Sequence, residues 1–302
     1  MKHTVNNELT PQAQKSFVAA CDAAFEAHMH EVAESIASTP SLRLLGLTGP
    51  TCSGKTTAAK KFTECLEAHG HRVHVVSIDD FYFDKSVLQK RADDDPNIEI
   101  DYDSEETIDV ALLEEKTASL LRGEETRLPR FDFRSGMRVE GVTVTPRRED
   151  VFLFEGIQIL YPRVDRILRG ESYRSICICP TSSIEVAGES FAPNELRLMR
   201  RLVRDYRYRA SEPAFTLYLW QSVRENEEKS IFPNLFGCNA TIDSTMPYEV
   251  GMLKPYLLEI LSMVPSESPF FGQAKALAQR LAAVNEISSQ YLTEHSLYKE
   301  FI

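Results

Sequence analysis

The chain has 302 residues, with 34 Lys and Arg against 45 Asp and Glu, for a formal charge of −11. Hydrophobic residues make up 43% and charged residues 26%, which excludes collagen-like, coiled-coil and disordered chains. The acidic total speaks against nucleic acid or an anionic membrane as partner, since either needs a basic face, and no apolar run reaches the roughly 18 residues of a membrane span.

The start, Met-Lys-His-Thr-Val, is polar and lacks the apolar core of a secretion signal. Cys 6 is too low a count for a disulfide scaffold, so a cytoplasmic location is expected. Residues 10–37 read as a helix: Thr10 caps it, Pro11 suits its first turn, and Val18, Cys21, Phe25, Met29 and Val32 form an apolar stripe. Leu42–Leu47 is a short apolar strand. Gly49-Pro-Thr-Cys-Ser-Gly-Lys-Thr56 then fits G-x-x-x-x-G-K-[ST] and opens a helix reaching to about His69. In such a loop the backbone N–H groups and the helix N-terminus face phosphates. Lys55 reaches the β- and γ-phosphates and the Thr56 hydroxyl meets Mg²⁺. Cys52 is read as a small side chain that fits the loop. His69, His71 and His74 flank the next turn with no acid or cysteine to complete a metal site, and are read as structural.

Arg72–Ile78 is a second strand, ending in Ser77-Ile-Asp-Asp-Phe-Tyr82. Ligands of open α/β sheets bind beyond the carboxyl ends of the strands, so two carboxylates here are expected to face the γ-phosphate. Residues 93–109 carry acids at 93, 94, 95, 99, 101, 103, 105, 106 and 109 and no base, most of them expected in a solvated loop. Residues 107–122 are helical, with Gly123 as a stop. Residues 126–145 form a hairpin around Arg134-Ser-Gly136. Val151–Phe154 is a third buried strand, followed by Glu155, an acid placed to bind Mg²⁺. Ser175–Cys179 is a fourth, with Cys177 and Cys179 read as core. Residues 194–229 hold one or two helices. They carry Arg197, Arg200, Arg201, Arg204, Arg207 and Arg209, expected as a lid that closes on the transferring phosphoryl. Trp220 is read as packing. Ala240–Asp243 is a fifth strand, and residues 248–262 and 272–292 are helical. Strands alternating with helices predict an α/β fold with a mainly parallel sheet.

The set GPTCSGKTT, SIDDFY, DYDSEETID, LPRFDFRSGMR, VFLFEGI and RLMRRLVRDYRYR, in this order over residues 42–245, resembles the uridine kinase branch of the uridine kinase/phosphoribulokinase family. The resemblance implies a P-loop three-layer α/β/α fold of about five strands, with a hairpin insertion at 126–145 and an arginine-rich helical lid at 194–212. Residues 41–302 would be the kinase domain, with C-terminal helices from 248, and residues 1–40 a helical extension. It implies ATP as co-substrate, held by Gly49, Pro50, Thr51, Cys52, Ser53, Gly54, Lys55, Thr56, Thr57, Arg204 and Arg209, and Mg²⁺ at Thr56, Asp79 and Glu155. Asp79 matches the base that activates a sugar 5′-hydroxyl, with Lys55 and Arg204 as the other catalytic groups. Tyr82, Tyr102, Asp103, Phe131, Phe133 and Arg201 match the acceptor site, Asp103 gripping the ribose diol. Members often form homodimers or homotetramers.

Two positions depart from the pattern. Gly136 stands where uridine-cytidine kinases place a histidine that reads the pyrimidine edge, and Arg209-Ala-Ser211 replaces Arg-Gly-Arg in the lid. The acceptor therefore stays open: a nucleoside, or another sugar, sugar phosphate or pantothenate-like alcohol. A non-catalytic nucleotide-binding regulator is the alternative of another class, although such a binder needs no base at Asp79.

Overall fold

The computed structural model describes residues 1–94, 104–170 and 172–302. In chain order it runs β1 (Lys2–Thr4), α1 (Pro11–Ala37), β2 (Leu44–Thr48), α2 (Lys55–Ala68), β3 (Val73–Ser77), α3 (Lys85–Asp94) and α4 (Val110–Arg122). The hairpin β4 (Thr126–Asp132) and β5 (Met137–Val144) follows, then β6 (Val151–Glu155), α5 (Pro162–Leu168), β7 (Tyr173–Cys179), β8 (Ser183–Val186) and β9 (Glu189–Phe191). The last elements are α6 (Pro193–Arg209), α7 (Pro213–Asn226), β10 (Ala240–Asp243), α8 (Glu249–Ser262) and α9 (Phe271–Ala282). Among the described residues no helix is long and apolar enough to cross a membrane.

The central sheet has the order β10-β7-β2-β6-β3, and every pair in it is parallel. Its strands read as nearly unbroken apolar runs because both faces are covered. Alternation along each strand sorts the side chains by face. Leu45, Leu47, Val151, Leu153, Ile176 and Ile178 join a core shared with α1, α2, α6 and α8. Leu44, Val76, Phe152 and Phe154 join a second core with α4 and α5. The result is the expected three-layer α/β/α arrangement.

Register sets the active end. Leu47 of β2 and Ser77 of β3 both lie opposite Glu155 of β6, so the loops after these three strands open at one edge. At α1, Thr10 accepts a hydrogen bond from the Ala13 N–H at 3.4 Å, as the cap predicts. In the hairpin, Pro129 has no N–H to give the ladder, and the register shifts between Arg127 and Pro129.

Two expectations need correction, and several short elements carry no signal in the sequence. The helix expected over 272–292 stops at Ala282. There the chain turns so that Asn285 bonds Asn7, N–H to Oδ1 and Nδ2 to the carbonyl, both at 2.7 Å. The structure also contains α3, α5 and a small sheet in which β1 pairs with β8 and β8 with β9, elements too short for a period to register. Finally, the N-terminal half of α6 is core. Arg197 is buried in a two-pronged pair with Glu227, at 2.6 and 2.5 Å, and its guanidinium lies 5.3 Å from the Trp220 ring. Trp220 is thus packing, as expected.

Arg200 is fully buried and knots four parts of the chain together. It donates to Glu249 of α8 at 2.8 and 3.0 Å, to the Ser244 carbonyl at 2.7 Å, to the Tyr298 hydroxyl at 3.0 Å and to the Cys52 carbonyl at 3.3 Å. Burial works against its charge, but Glu249 and Tyr298 outweigh it and raise the Arg200 pKa above its ordinary value. Removing one partner of such a pair strands the other in the interior. Glu249→Leu should therefore lose about 3–5 kcal/mol of unfolding free energy in a denaturant titration. A loss within about 0.5 kcal/mol would show that the pair is dispensable.

Candidate active site

The loop between β2 and α2 closes tightly, and the chain's own C-terminus packs on it. Leu297 fills the space in front of Gly54, whose φ of +98° no larger residue adopts without strain. Cys52 lies in the left-handed region at φ 57° and is buried. The Ser53 hydroxyl is buried too and has no hydrogen-bond partner among the described residues. A buried donor left unpaired costs free energy, and a phosphate oxygen in the loop would satisfy it. Lys55 donates to the Gly49 carbonyl at 2.7 Å and the Pro50 carbonyl at 3.1 Å. Burial lowers its pKa, and the nearby Glu155 and Asp79 oppose that shift.

A cleft of about 840 Å³ runs from this loop to the hairpin. Thr51, Cys52, Ser53, Gly54, Lys55 and Thr56 line one end, and Tyr82, Phe131 and Phe133 the other. Asp79 and Glu155 fall between them, near enough to Lys55 to act on its charge, with Asp79 tied through Gln158 to Tyr82. Arg201, Arg204 and Arg209 reach it from α6. Gly49, Pro50 and Thr57 do not line it. The Thr57 hydroxyl instead donates to Glu300 at 3.0 Å. Tyr102 and Asp103 lie outside the described residues.

The two carboxylates after β3 have separate roles. Asp79 lines the cleft, whereas Asp80 turns away and accepts the Phe131 N–H at 2.9 Å. Asp80 thus anchors the hairpin over the cleft. Burial raises its pKa, and the Phe131 N–H bond acts in the opposite direction. The aromatic wall is an edge-on trio. Phe131 stands 5.2 Å from Phe133 and 5.5 Å from Tyr82, at 76° and 65°. Phe131 is 7% exposed but Phe133 is 61% exposed, so Phe133 has a free face for a ligand.

Several residues that hold the site had no role assigned from the sequence. Gln158 is buried and donates to the Tyr82 hydroxyl at 2.8 Å and to Asp79 at 3.4 Å, joining Asp79 to the aromatic end of the cleft. The Ser77 hydroxyl donates to Glu155 at 2.6 Å and orients it. Asp205 is buried at the centre of the arginines. It takes Arg204 at 2.6 and 2.9 Å and Arg201 at 3.2 Å, and faces Arg209 at 3.7 Å. Against the cost of burial, Cys52 and Asp205 hold the Arg204 pKa above its ordinary range. The one signal for Asp205 was its place as the single acid within the arginine run.

Residues 44–247 match the model of the Phosphoribulokinase / Uridine kinase family. The chain belongs to this family. A uridine kinase of Staphylococcus aureus strain JH9 is 30% identical over 166 residues, covering 55% of this chain and 70% of that protein, and the uridine kinase of strain Newman gives the same values. A solved structure from Silicibacter sp. TM1040, provisionally described as a fructose transport system kinase, shares the fold. It has a TM-score of 0.52 and 21% identity over 70% of this chain and 98% of that one. Membership makes the chain an ATP-dependent small-molecule kinase. The family's usual Mg²⁺ prefers oxygen donors, and the Thr56 hydroxyl and the Asp79 and Glu155 carboxylates that line the kinase's cleft are such donors.

Loosening the arginines should weaken phosphate handling without unfolding the kinase. Asp205→Asn should lower kcat/KM for ATP by about tenfold or more in steady-state assays. An unchanged value would remove Asp205 from the arrangement of the phosphate site.

Proposed function

We propose that the chain transfers the γ-phosphoryl of ATP to the 5′-hydroxyl of a nucleoside, or of a close relative with a ring and a primary alcohol. The observation that carries this reading is the position of Asp79, between the phosphate loop and the aromatic trio in one continuous cleft. A hydroxyl held against Tyr82 and Phe133 would present its proton to Asp79 and its oxygen to the γ-phosphorus. The new O–P bond forms as the bond to the β-phosphate oxygen breaks, the proton passes to Asp79, and ADP leaves. Lys55 and Arg204 balance charge on the moving phosphoryl group, and Arg209 joins them from the end of α6. Thr56, Asp79 and Glu155 would hold Mg²⁺, which would supply further charge neutralisation when bound. The cover of the hairpin and α6 limits water and so favours transfer over hydrolysis.

Arg201 is assigned to the acceptor side, together with Tyr102 and Asp103 from the family resemblance. Thr57 is assigned a supporting place, since its hydroxyl is engaged by Glu300. Residues 41–302 are read as the catalytic unit and residues 1–40 as an extension packed on it.

A second acceptor class has its own observation. Gly136 has φ +70°, and a Cβ there would collide with the Lys85 side chain, which lines the acceptor end of the cleft. At this wall the chain presents an ammonium, with no ion pair among the described residues, which suits an acceptor carrying a carboxylate or phosphate.

Both readings meet one experiment, an ADP-release screen across nucleosides, free sugars and sugar phosphates with the wild type and Asp79→Asn. A nucleoside should be the best acceptor. Asp79→Asn should lose about 10²–10⁴-fold in kcat while MgATP still binds. A sugar phosphate as best acceptor would favour the second class, and near-wild-type turnover by Asp79→Asn would remove it as the base.

A further inference from the structure

Away from the cleft, α1 lies along α2, and their contact holds a cluster that neither helix has alone. His30 and Glu34 are one turn apart on α1, and Cys65 lies one turn before His69, the residue that caps the end of α2. His69 was read from the sequence as having no metal-binding neighbours. Its neighbours are Cys65, one turn earlier on the same helix, and Glu34 of α1. The ligating atoms of His30, Glu34 and Cys65 lie within 4.8 Å of one another. Glu34 Oε1 is 3.5 Å from His30 Nε2 and 3.6 Å from Cys65 Sγ. The other carboxylate oxygen, Oε2, is taken by His69 Nε2 at 3.0 Å, while His69 Nδ1 meets the Cys65 carbonyl at 2.9 Å.

We propose that His30, Glu34 and Cys65 form a zinc site that staples α1 to α2, with His69 as the outer partner that orients Glu34. The donor set selects the ion: thiolate, imidazole and one carboxylate suit Zn²⁺ and not Mg²⁺ or Ca²⁺, which take oxygen. Tetrahedral zinc bonds of about 2.0–2.3 Å put neighbouring ligand atoms about 3.3–3.8 Å apart. The two contacts through Oε1 are already at that spacing, and rotation of the exposed His30 side chain can close the remaining gap. Both His69 nitrogens are occupied, which fixes the carboxylate with Oε1 toward His30 and Cys65. This is the usual outer support of a metal ligand. Water completes the fourth position, and the Cys65 thiol proton goes to solvent on binding.

The site has a place in the kinase fold. Cys65 sits on the helix that begins with Lys55 and Thr56, so the staple ties the N-terminal helix to the element that carries the phosphate loop. Beside it, Lys61 of α2 already pairs with Glu26 of α1 at 2.7 Å.

Cobalt titration of the full-length, chelator-treated protein tests this, with Mg²⁺ and a non-hydrolysable ATP analogue present to occupy the cleft. One equivalent of Co²⁺ should give a sulfur-to-metal band in the near ultraviolet with tetrahedral visible bands, and one equivalent of Zn²⁺ should erase them and raise the thermal midpoint. Cys65→Ser should abolish the band, and His30→Ala or Glu34→Gln should weaken binding at least tenfold. His69→Gln should weaken it about tenfold with the stoichiometry kept. Cys52→Ala, which removes the thiol of the phosphate loop, should keep the band. The proposal is overturned if the wild type shows no such band, if the band survives in Cys65→Ser, or if Zn²⁺ stabilises His30→Ala/Cys65→Ser as much as the wild type.

Discussion

An arginine with no access to water dictates much of this molecule. A buried guanidinium is tolerable only when carboxylate and carbonyl oxygens meet it in good geometry. Arg200 finds them on α8, on the strand-end segment at Ser244 and on the phosphate loop at Cys52, and it also meets the Tyr298 hydroxyl of the C-terminal tail. Each of those segments must then stay where Arg200 needs it. The C-terminal residues, far from the loop in sequence, become its backing: Tyr298 contacts Arg200 and Glu249, Leu297 packs on Gly54, and Glu300 holds Thr57. The shape that presents N–H groups to phosphates is held by side chains behind it as well as by its own glycines.

Five of the six arginines of α6 show how one basic run divides its work. Arg197 and Arg200 face the core and pair with single glutamates. Arg201, Arg204 and Arg209 face the cleft and share Asp205. The acidic stretch over 93–109 divides in a similar way among its described members. Asp109 caps α4 and pairs with Arg138 of the hairpin, while Glu105 accepts the N–H groups of Arg163 and Val164. The net charge of −11 averages over structural ion pairs and a locally basic phosphate end.

The sheet was legible in the sequence because each strand is a short apolar run bounded by turns, and the phosphate loop because its residues are fixed by steric and electrostatic need. The residues of the cleft from Thr51 to Thr56, with Asp79 and Glu155, followed from their position at strand ends, and Tyr82 from the family resemblance. Other features depended on contacts distant in sequence. Nothing in the local pattern separates Arg200, which is core, from Arg201, which reaches the cleft. Gln158 carries no motif, and the pairing of β1 with β8 joins chain segments too short to show a period. The acid pair after β3 was read as one unit, but the demand of the Phe131 N–H for an acceptor divides it.

The central claim, that the Arg200 knot shapes the phosphate site from behind, is tested most directly by the affinity of Tyr298→Phe for MgATP, measured by calorimetry. This change removes one hydroxyl and leaves the Arg200–Glu249 pair in place. The account predicts a dissociation constant raised about fivefold, the equivalent of about 1 kcal/mol, in a protein that still unfolds cooperatively. An unchanged dissociation constant alongside a lowered thermal midpoint would contradict it, leaving the tail a stabilising strap with no hold on the phosphate loop.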